Sequence, residues 1–193
     1  MRHAPYGAAM TLPSKARGAL RAATAAHHDQ VDAVFTHADL NDREGYGRIL
    51  QAQAGAYLPV EAALERAGAA TLVPDWAARR RAESLRADLA ALGLAVPHET
   101  SVLTFDGAAA VLGGVYVLEG SRLGGALLAR GVPAHFPRDF LAPGDSAGWR
   151  SLLGILEHTL TSAGDIASAI ESASRVFLLF ESSGRRYLRT DLR

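Results

Sequence analysis

Apolar and polar positions alternate along this chain with the period of a helix rather than a strand. From residue 14 to 35 the apolar side chains Leu20, Ala23, Thr24, Val31, Val34 and Phe35 fall on one stripe. Ser14 can cap that first helix. A loop with Asp39, Asn41 and Asp42 follows, and Asn41 or Asp42 can cap a second helix from about Arg43 to Ala67. Pro59 lies inside this span and should kink or split it, because proline removes a helical donor and crowds the preceding turn. Pro74-Asp75-Trp76 opens a third, arginine-rich helix that ends near Gly93, and Val96-Pro97 marks a break. A fourth apolar segment runs from about Ser101 to Arg130. Gly107, Gly113 and Gly114 make it irregular, so a short helix is expected ahead of a longer one. Pro133, Pro137 and Pro143 make residues 131–147 a long connection, and two more helices follow, about Trp149–Thr161 and Asp165–Tyr187. Alanine and leucine dominate and β-branched runs are scarce, so the pattern predicts an all-α, single-domain bundle over residues 14–187. A flexible N-terminus (1–13) and a short C-terminal tail (188–193) are expected to flank it.

Composition narrows the chemistry. The 193 residues are 49% hydrophobic, enough for one sizeable core. Lys+Arg and Asp+Glu are 20 each, so the formal net charge is zero, which argues against nucleic acid as a partner. There is no cysteine, which excludes disulfides, thiolate nucleophiles, iron–sulfur clusters and cysteine zinc sites. No apolar run reaches the length of a membrane span, and residues 1–13 lack the apolar stretch of a secretory signal, so a cytoplasmic protein with no membrane partner is expected.

Two features point to a ligand. The first is Tyr116-Val117-Leu118-Glu119-Gly120-Ser121-Arg122-Leu123-Gly124-Gly125, which places three glycines inside an apolar helical run. Each glycine costs a helix about 1 kcal/mol relative to alanine. That cost makes sense where a flat ligand must approach bare backbone, and a bend is also easier there. The second is the pair His27 and His28. On the first helix His27 falls near the middle of the apolar stripe and His28 on its edge, and spacing does not choose between them. An imidazole there is either an ordinary core or surface histidine or an axial ligand for iron. Asp32, one turn after His28, is within reach of its other ring nitrogen. A di-iron carboxylate bundle is disfavoured, because no Glu is followed by His three residues later. A helical interaction module without a cofactor leaves the glycines unexplained.

Leu20-Arg21-Ala22-Ala23-Thr24-Ala25-Ala26-His27-His28 resembles the N-terminal motif of haem oxygenases, in which a Thr precedes the proximal His by four positions. On that resemblance the ligand is His28. The glycine segment resembles the distal helix of the same family, with Gly120 and Gly124-Gly125 matching the glycines that pass over the haem. Residues 42–64 and 73–93 are similar to the bacterial branch. The form Tyr-Val-Leu-Glu-Gly-Ser-x-Leu-Gly-Gly is most similar to biliverdin-producing enzymes found beside bacterial phytochromes. The resemblance covers about residues 17 to 183.

It implies a fold with haem b between a proximal helix and a kinked distal helix, and an enzyme for which haem is both cofactor and substrate. O₂ and an external reductant, a ferredoxin or a flavoprotein, would open the ring to biliverdin, CO and Fe²⁺, and a bacteriophytochrome could receive the biliverdin. His28 would bind the metal. Gly120, Ser121 and Gly124 would form the catalytic face. Arg21 and Tyr116 match propionate-facing positions, which implies the IXα isomer. Thr24, Gly125, Phe177 and Phe180 complete the implied cofactor contacts, and Arg185 and Arg186 would extend the positive rim. The sequence departs from the animal enzymes at Ser121, where they carry an Asp that organises protons for the oxygen chemistry. Serine can donate and accept but carries no charge, so the relay must rest more on waters, carbonyls or other side chains. The departure also permits an alternative, a non-catalytic haem carrier or sensor with the same fold. Arg79-Arg80-Arg81 reads as a solvated face, or as a docking point for an acidic electron donor.

Overall fold

A computed structural model describes residues 15–36, 39–98 and 103–188. Ser14, the expected flexible N-terminus and residues 189–193 lie outside the described residues. Eight helices are present among those described: α1 (Lys15–Phe35), α2 (Arg43–Arg66), α3 (Ala69–Leu72), α4 (Trp76–Arg79), α5 (Ala82–Ala91), α6 (Gly107–Leu128), α7 (Ser146–Thr159) and α8 (Ala163–Leu188). No strand occurs among the described residues, and no helix there is long and apolar enough to cross a membrane.

Local chemistry sets most helix ends. The Asp42 carboxylate accepts from Gly45 N at 2.8 Å and starts α2. Asp145 accepts from Ala147 N at 2.9 Å and starts α7. Ser162 and Asp165 cap α8 reciprocally, each backbone amide donating to the other's side chain. At the far ends of α2 and α5, Gly68 and Gly93 take φ of 85° and 67°, the left-handed conformation that lets a helix stop.

The core lies where α8 packs against α1, α2 and α6. α2 is its most buried member: Tyr46, Ile49, Leu50, Val60 and Leu64 are all fully covered. It runs unbroken through Pro59, so the expected split does not occur. Neighbours such as Tyr57, Leu58 and Val60 are buried on both sides of the proline, and their packing outweighs one missing hydrogen bond.

Two other expectations change. The third helix is two helices, because Arg80 adopts an extended backbone (φ −62°, ψ 139°) between α4 and α5. The Glu61 carboxylate, from α2, accepts from Arg81 N at 2.6 Å and so caps the restart. The glycine-bearing segment is one helix, α6, with no short helix ahead of it among the described residues. Gly113 and Gly114 do not interrupt it; they are the points of closest packing. A Cβ at Gly113 would run into the Ala169 carbonyl of α8, and one at Gly114 would stand 2.7 Å from the Phe105 ring and 2.8 Å from Leu64.

Candidate active site

α1 and α6 line an open cleft of about 520 Å³, together with Trp149 of α7 and Phe177 and Phe180 of α8. That volume lies in the range of small-molecule sites. Helical spacing builds both walls. From α1 come Arg17, Arg21, Thr24, His28 and Asp32, and from α6 come Tyr116, Gly120, Gly124 and Leu128 in a row of four-residue steps.

The α6 wall is bare where the glycines stand. A Cβ at Gly120 or Gly124 would meet no heavy atom within 4 Å. These glycines therefore differ in kind from Gly113 and Gly114: they leave open space beside a main chain rather than room for a neighbouring helix. Opposite them, His28 Nδ1 lies 3.2 Å from the Asp32 carboxylate. That contact favours the proton on Nδ1 and leaves the Nε2 lone pair free. The His28 ring meets Phe177 edge-on at 6.2 Å between centroids. His27 does not line the cleft; its ring lies nearly parallel to that of Phe177 at 6.5 Å, and its Nδ1 is buried without a hydrogen-bond partner.

One end of the cleft is cationic. Arg17 and Arg21 are both exposed and both act electrostatically on Tyr116. Burial pushes the Tyr116 hydroxyl above its ordinary range, and the two arginines oppose that shift. Trp149 packs on the Tyr116 ring at 5.7 Å. Behind α6 lies a second, small cavity of about 10 Å³, room for about one water. Gln53 and Ser121 line both spaces, and Arg122, whose Nε is buried and unpartnered, lines the small one. The Ser121 hydroxyl donates to Leu118 O at 2.7 Å, so its oxygen faces the site as an acceptor.

These parts fit an iron porphyrin. A flat apolar ring needs a wall without side chains, its iron needs a neutral nitrogen, and its two carboxylates need cations at one edge. The cleft offers bare backbone at Gly120 and Gly124, an imidazole with one nitrogen already occupied, and Arg17 with Arg21.

The sequence is 41% identical over 118 residues to a haem oxygenase of Xanthomonas campestris pv. campestris, a match spanning 55% of this chain and 68% of that protein. It is 33% identical over 148 residues to haem oxygenase PigA of Pseudomonas aeruginosa, spanning 72% of this chain and 75% of that one. The fold superposes on the NO- and CO-bound haem oxygenase of Neisseria meningitidis with a TM-score of 0.79 at 25% identity, covering 93% of this chain and 96% of that one. The chain belongs to the haem oxygenase family. It is thereby a haem-degrading enzyme, and haem is its substrate. No family model matches the sequence.

Most of the residues singled out by this family's motifs meet at the cleft: Arg21, Thr24, His28, Tyr116, Gly120, Ser121, Gly124, Phe177 and Phe180. Thr24 is buried, and its hydroxyl donates to Leu20 O within α1 at 2.8 Å. Gly125 lines the small cavity and not the cleft. One residue after Gly124 it is rotated about 100° around the helix, and its missing Cβ faces Leu141 Cδ2 at 3.5 Å instead of the cleft. The arginine run is a correction. Arg79 and Arg81 are only 3% and 7% exposed. Arg79 donates to Asp75, to Glu119 at 2.7 Å and to Gly148 O at 2.8 Å, and Arg81 donates to Asp139 O at 2.8 Å. Arg80 alone is exposed, and it pairs with Glu65. The run is neither a solvated face nor a docking patch, because distant acceptors pull two of its members inside. Arg17, Trp149 and Gln53 line the cleft and were missed. Arg17 carried a signal, standing one turn before Arg21 on the same face. Trp149 and Gln53 carried none, since each comes from another helix. The described residues hold no group of three or more His, Cys, Asp or Glu able to bind a metal together.

Proposed function

We propose that haem b lies between His28 and the backbone at Gly120 and Gly124, and that the enzyme opens it with O₂ and external electrons to biliverdin IXα, CO and Fe²⁺. The observation that carries this reading is the open space over Gly120 and Gly124 facing an imidazole already tethered through Nδ1. Bound haem supplies both the metal at which O₂ is reduced and the ring that is oxidised. The chain's own part is orientation. His28 holds the iron from one side, with Asp32 fixing its tautomer. Gly120 and Gly124 leave room on the other side only for a small molecule and for backbone. Phe177 and Phe180 wall the ring. Arg17, Arg21 and Tyr116 bind the propionates and set which meso carbon faces the reaction, and this pairing favours the α carbon. Ser121, whose own proton is committed to Leu118 O, accepts a hydrogen bond there and does not supply a proton. The polar space it shares with Gln53 is the route by which protons arrive.

Electrons come from a ferredoxin or flavoprotein in the cytoplasm. A bacterial phytochrome as receiver of biliverdin rests on the form of the motif at residues 116–125.

Titration of the protein with hemin, followed by reductant and O₂, tests the reading. A histidine-ligated Soret band should form and then decay with CO release and a verdin spectrum. Chromatography of the product should give the α isomer. His28→Ala should lose the ligated spectrum and His27→Ala should keep it. A Soret band that survives reductant and O₂ would mark a carrier, and β or δ product would refute the propionate assignment.

A further inference from the structure

We propose that Glu157 of α7 is a positioning residue for the anionic edge of the substrate, acting through the arginines of α1. This rests on the reading of Arg17 and Arg21 as propionate partners. The first backbone amides of a helix have no partner within the helix and draw anionic groups. α1 supplies no acidic residue to its own first turn. Glu157, 141 residues away, fills that role: its carboxylate accepts from Ala16 N at 3.3 Å and from Arg17 N at 2.8 Å. Ala16 is 1% exposed, so loss of Glu157 would take a charged acceptor from an amide with little access to water, and the turn would hold less firmly.

The amide held most closely is that of Arg17 itself, and Arg21 follows one turn later. The carboxylate therefore fixes the root of one arginine and the helix turn beneath the other. The opposite end of α1 is held independently. Gly184 of α8 brings its backbone so close that a Cβ there would stand 2.6 Å from Val34 and 2.9 Å from Phe35. The same α7 braces the third member of the edge, through Trp149 on Tyr116. Glu157 and Trp149 together make α7 the frame on which the cationic edge is hung. His28 lies about three turns beyond Arg17, so loss of Glu157 should loosen the edge and leave the iron ligand in place.

The test compares affinities for hemin and for hemin dimethyl ester, which has no anionic carboxylates, on the full chain. Wild type should prefer hemin. Glu157→Ala should narrow that preference about two- to fivefold, the span of a partly exposed ion pair, with the histidine-ligated spectrum retained. Glu157→Gln keeps a carbonyl acceptor and should hold the preference. Glu157→Asp, one methylene short, should fall between them and serves if the alanine variant is too unstable to titrate. A purely structural role would weaken both ligands equally and leave the ratio unmoved. Loss of a negative charge alone would raise the ratio. Either result overturns the proposal. Arg17→Ala and Arg21→Ala separate the two premises. If they narrow the ratio while Glu157→Ala and Glu157→Asp do not, only the positioning role fails. If they leave it unchanged, the propionate reading fails and takes the positioning role with it.

Discussion

Two glycines in one helix can be identical in kind and opposite in purpose, and substitution separates them. Gly120 has open space where a side chain would stand, whereas Gly113 is pressed against the Ala169 backbone. Alanine gains about 1 kcal/mol over glycine in a helix interior. Forcing a methyl group into a packed backbone contact costs about 1–3 kcal/mol. Gly120→Ala should therefore raise the melting temperature of the haem-free protein and weaken hemin binding, and Gly113→Ala should lower the melting temperature. Thermal melts and hemin titration check both. Shifts of the same sign in the two variants would show that Gly120 also serves packing. The two histidines divide in a similar way: both touch Phe177, but only His28 reaches the cleft. Their difference is one residue of helix, about 100° of rotation.

At the scale of elements, α6 is held in place by a buried charged joint. Arg79 of α4 bonds Asp75 in its own turn, Glu119 of α6 and the Gly148 carbonyl of α7, and Arg122 also reaches Glu119 at 3.1 Å. Glu119 directly precedes Gly120, so the joint fixes the depth at which the bare stretch of α6 meets the cleft. Removing one partner of such a pair leaves a buried charge uncompensated. Arg79→Met should cost about 3 kcal/mol, the low end of the usual span because Arg122 still serves Glu119, and lower the melting temperature by about 6–12 °C. Arg79→Met combined with Glu119→Gln should lose less than the sum of the single changes. Additive losses in that cycle would mean that the two side chains are not coupled.

For the whole molecule, burial of carboxyls sets a pH dependence with a definite sign. Glu61 is 4% exposed, and burial raises its carboxyl above the ordinary range although the Arg81 and Ala82 amides pull the other way. Burial raises Asp88 similarly, against the amides of Phe140 and Asp139. A carboxyl whose folded pKa exceeds its unfolded one holds its proton longer in the native state. In the window above the ordinary value the native state thus binds more protons, and stability falls as pH rises through it. Asp75 has the opposite sign: the Arg79 hydrogen bond lowers it, so its contribution is lost as pH falls. The stability of wild type relative to Glu61→Gln should decline as pH rises through and above the ordinary carboxyl range. Melts across that range check it, and a difference independent of pH would contradict it.

The sequence alone determined what is encoded within a few residues. Five of the expected helical stretches, the cap of the second at Asp42 and its stop near Ala67, and the stop of the arginine-rich segment near Gly93 follow from spacing and from side chains acting one turn away. The two rows that face the cleft were legible for the same reason, since residues four apart share a face wherever the helix lies, and the family motifs named most of their members. Tertiary structure decided what depends on partners far along the chain. The break at Arg80 needs Glu61, the burial of Arg79 needs Glu119, and the anchoring of α1 needs Glu157. Gly113 and Gly120 look alike in sequence, and only the position of α8 tells a packing contact from an open wall. A local pattern fixes which side chains point together, but what they point at is set by helices whose positions no local pattern contains.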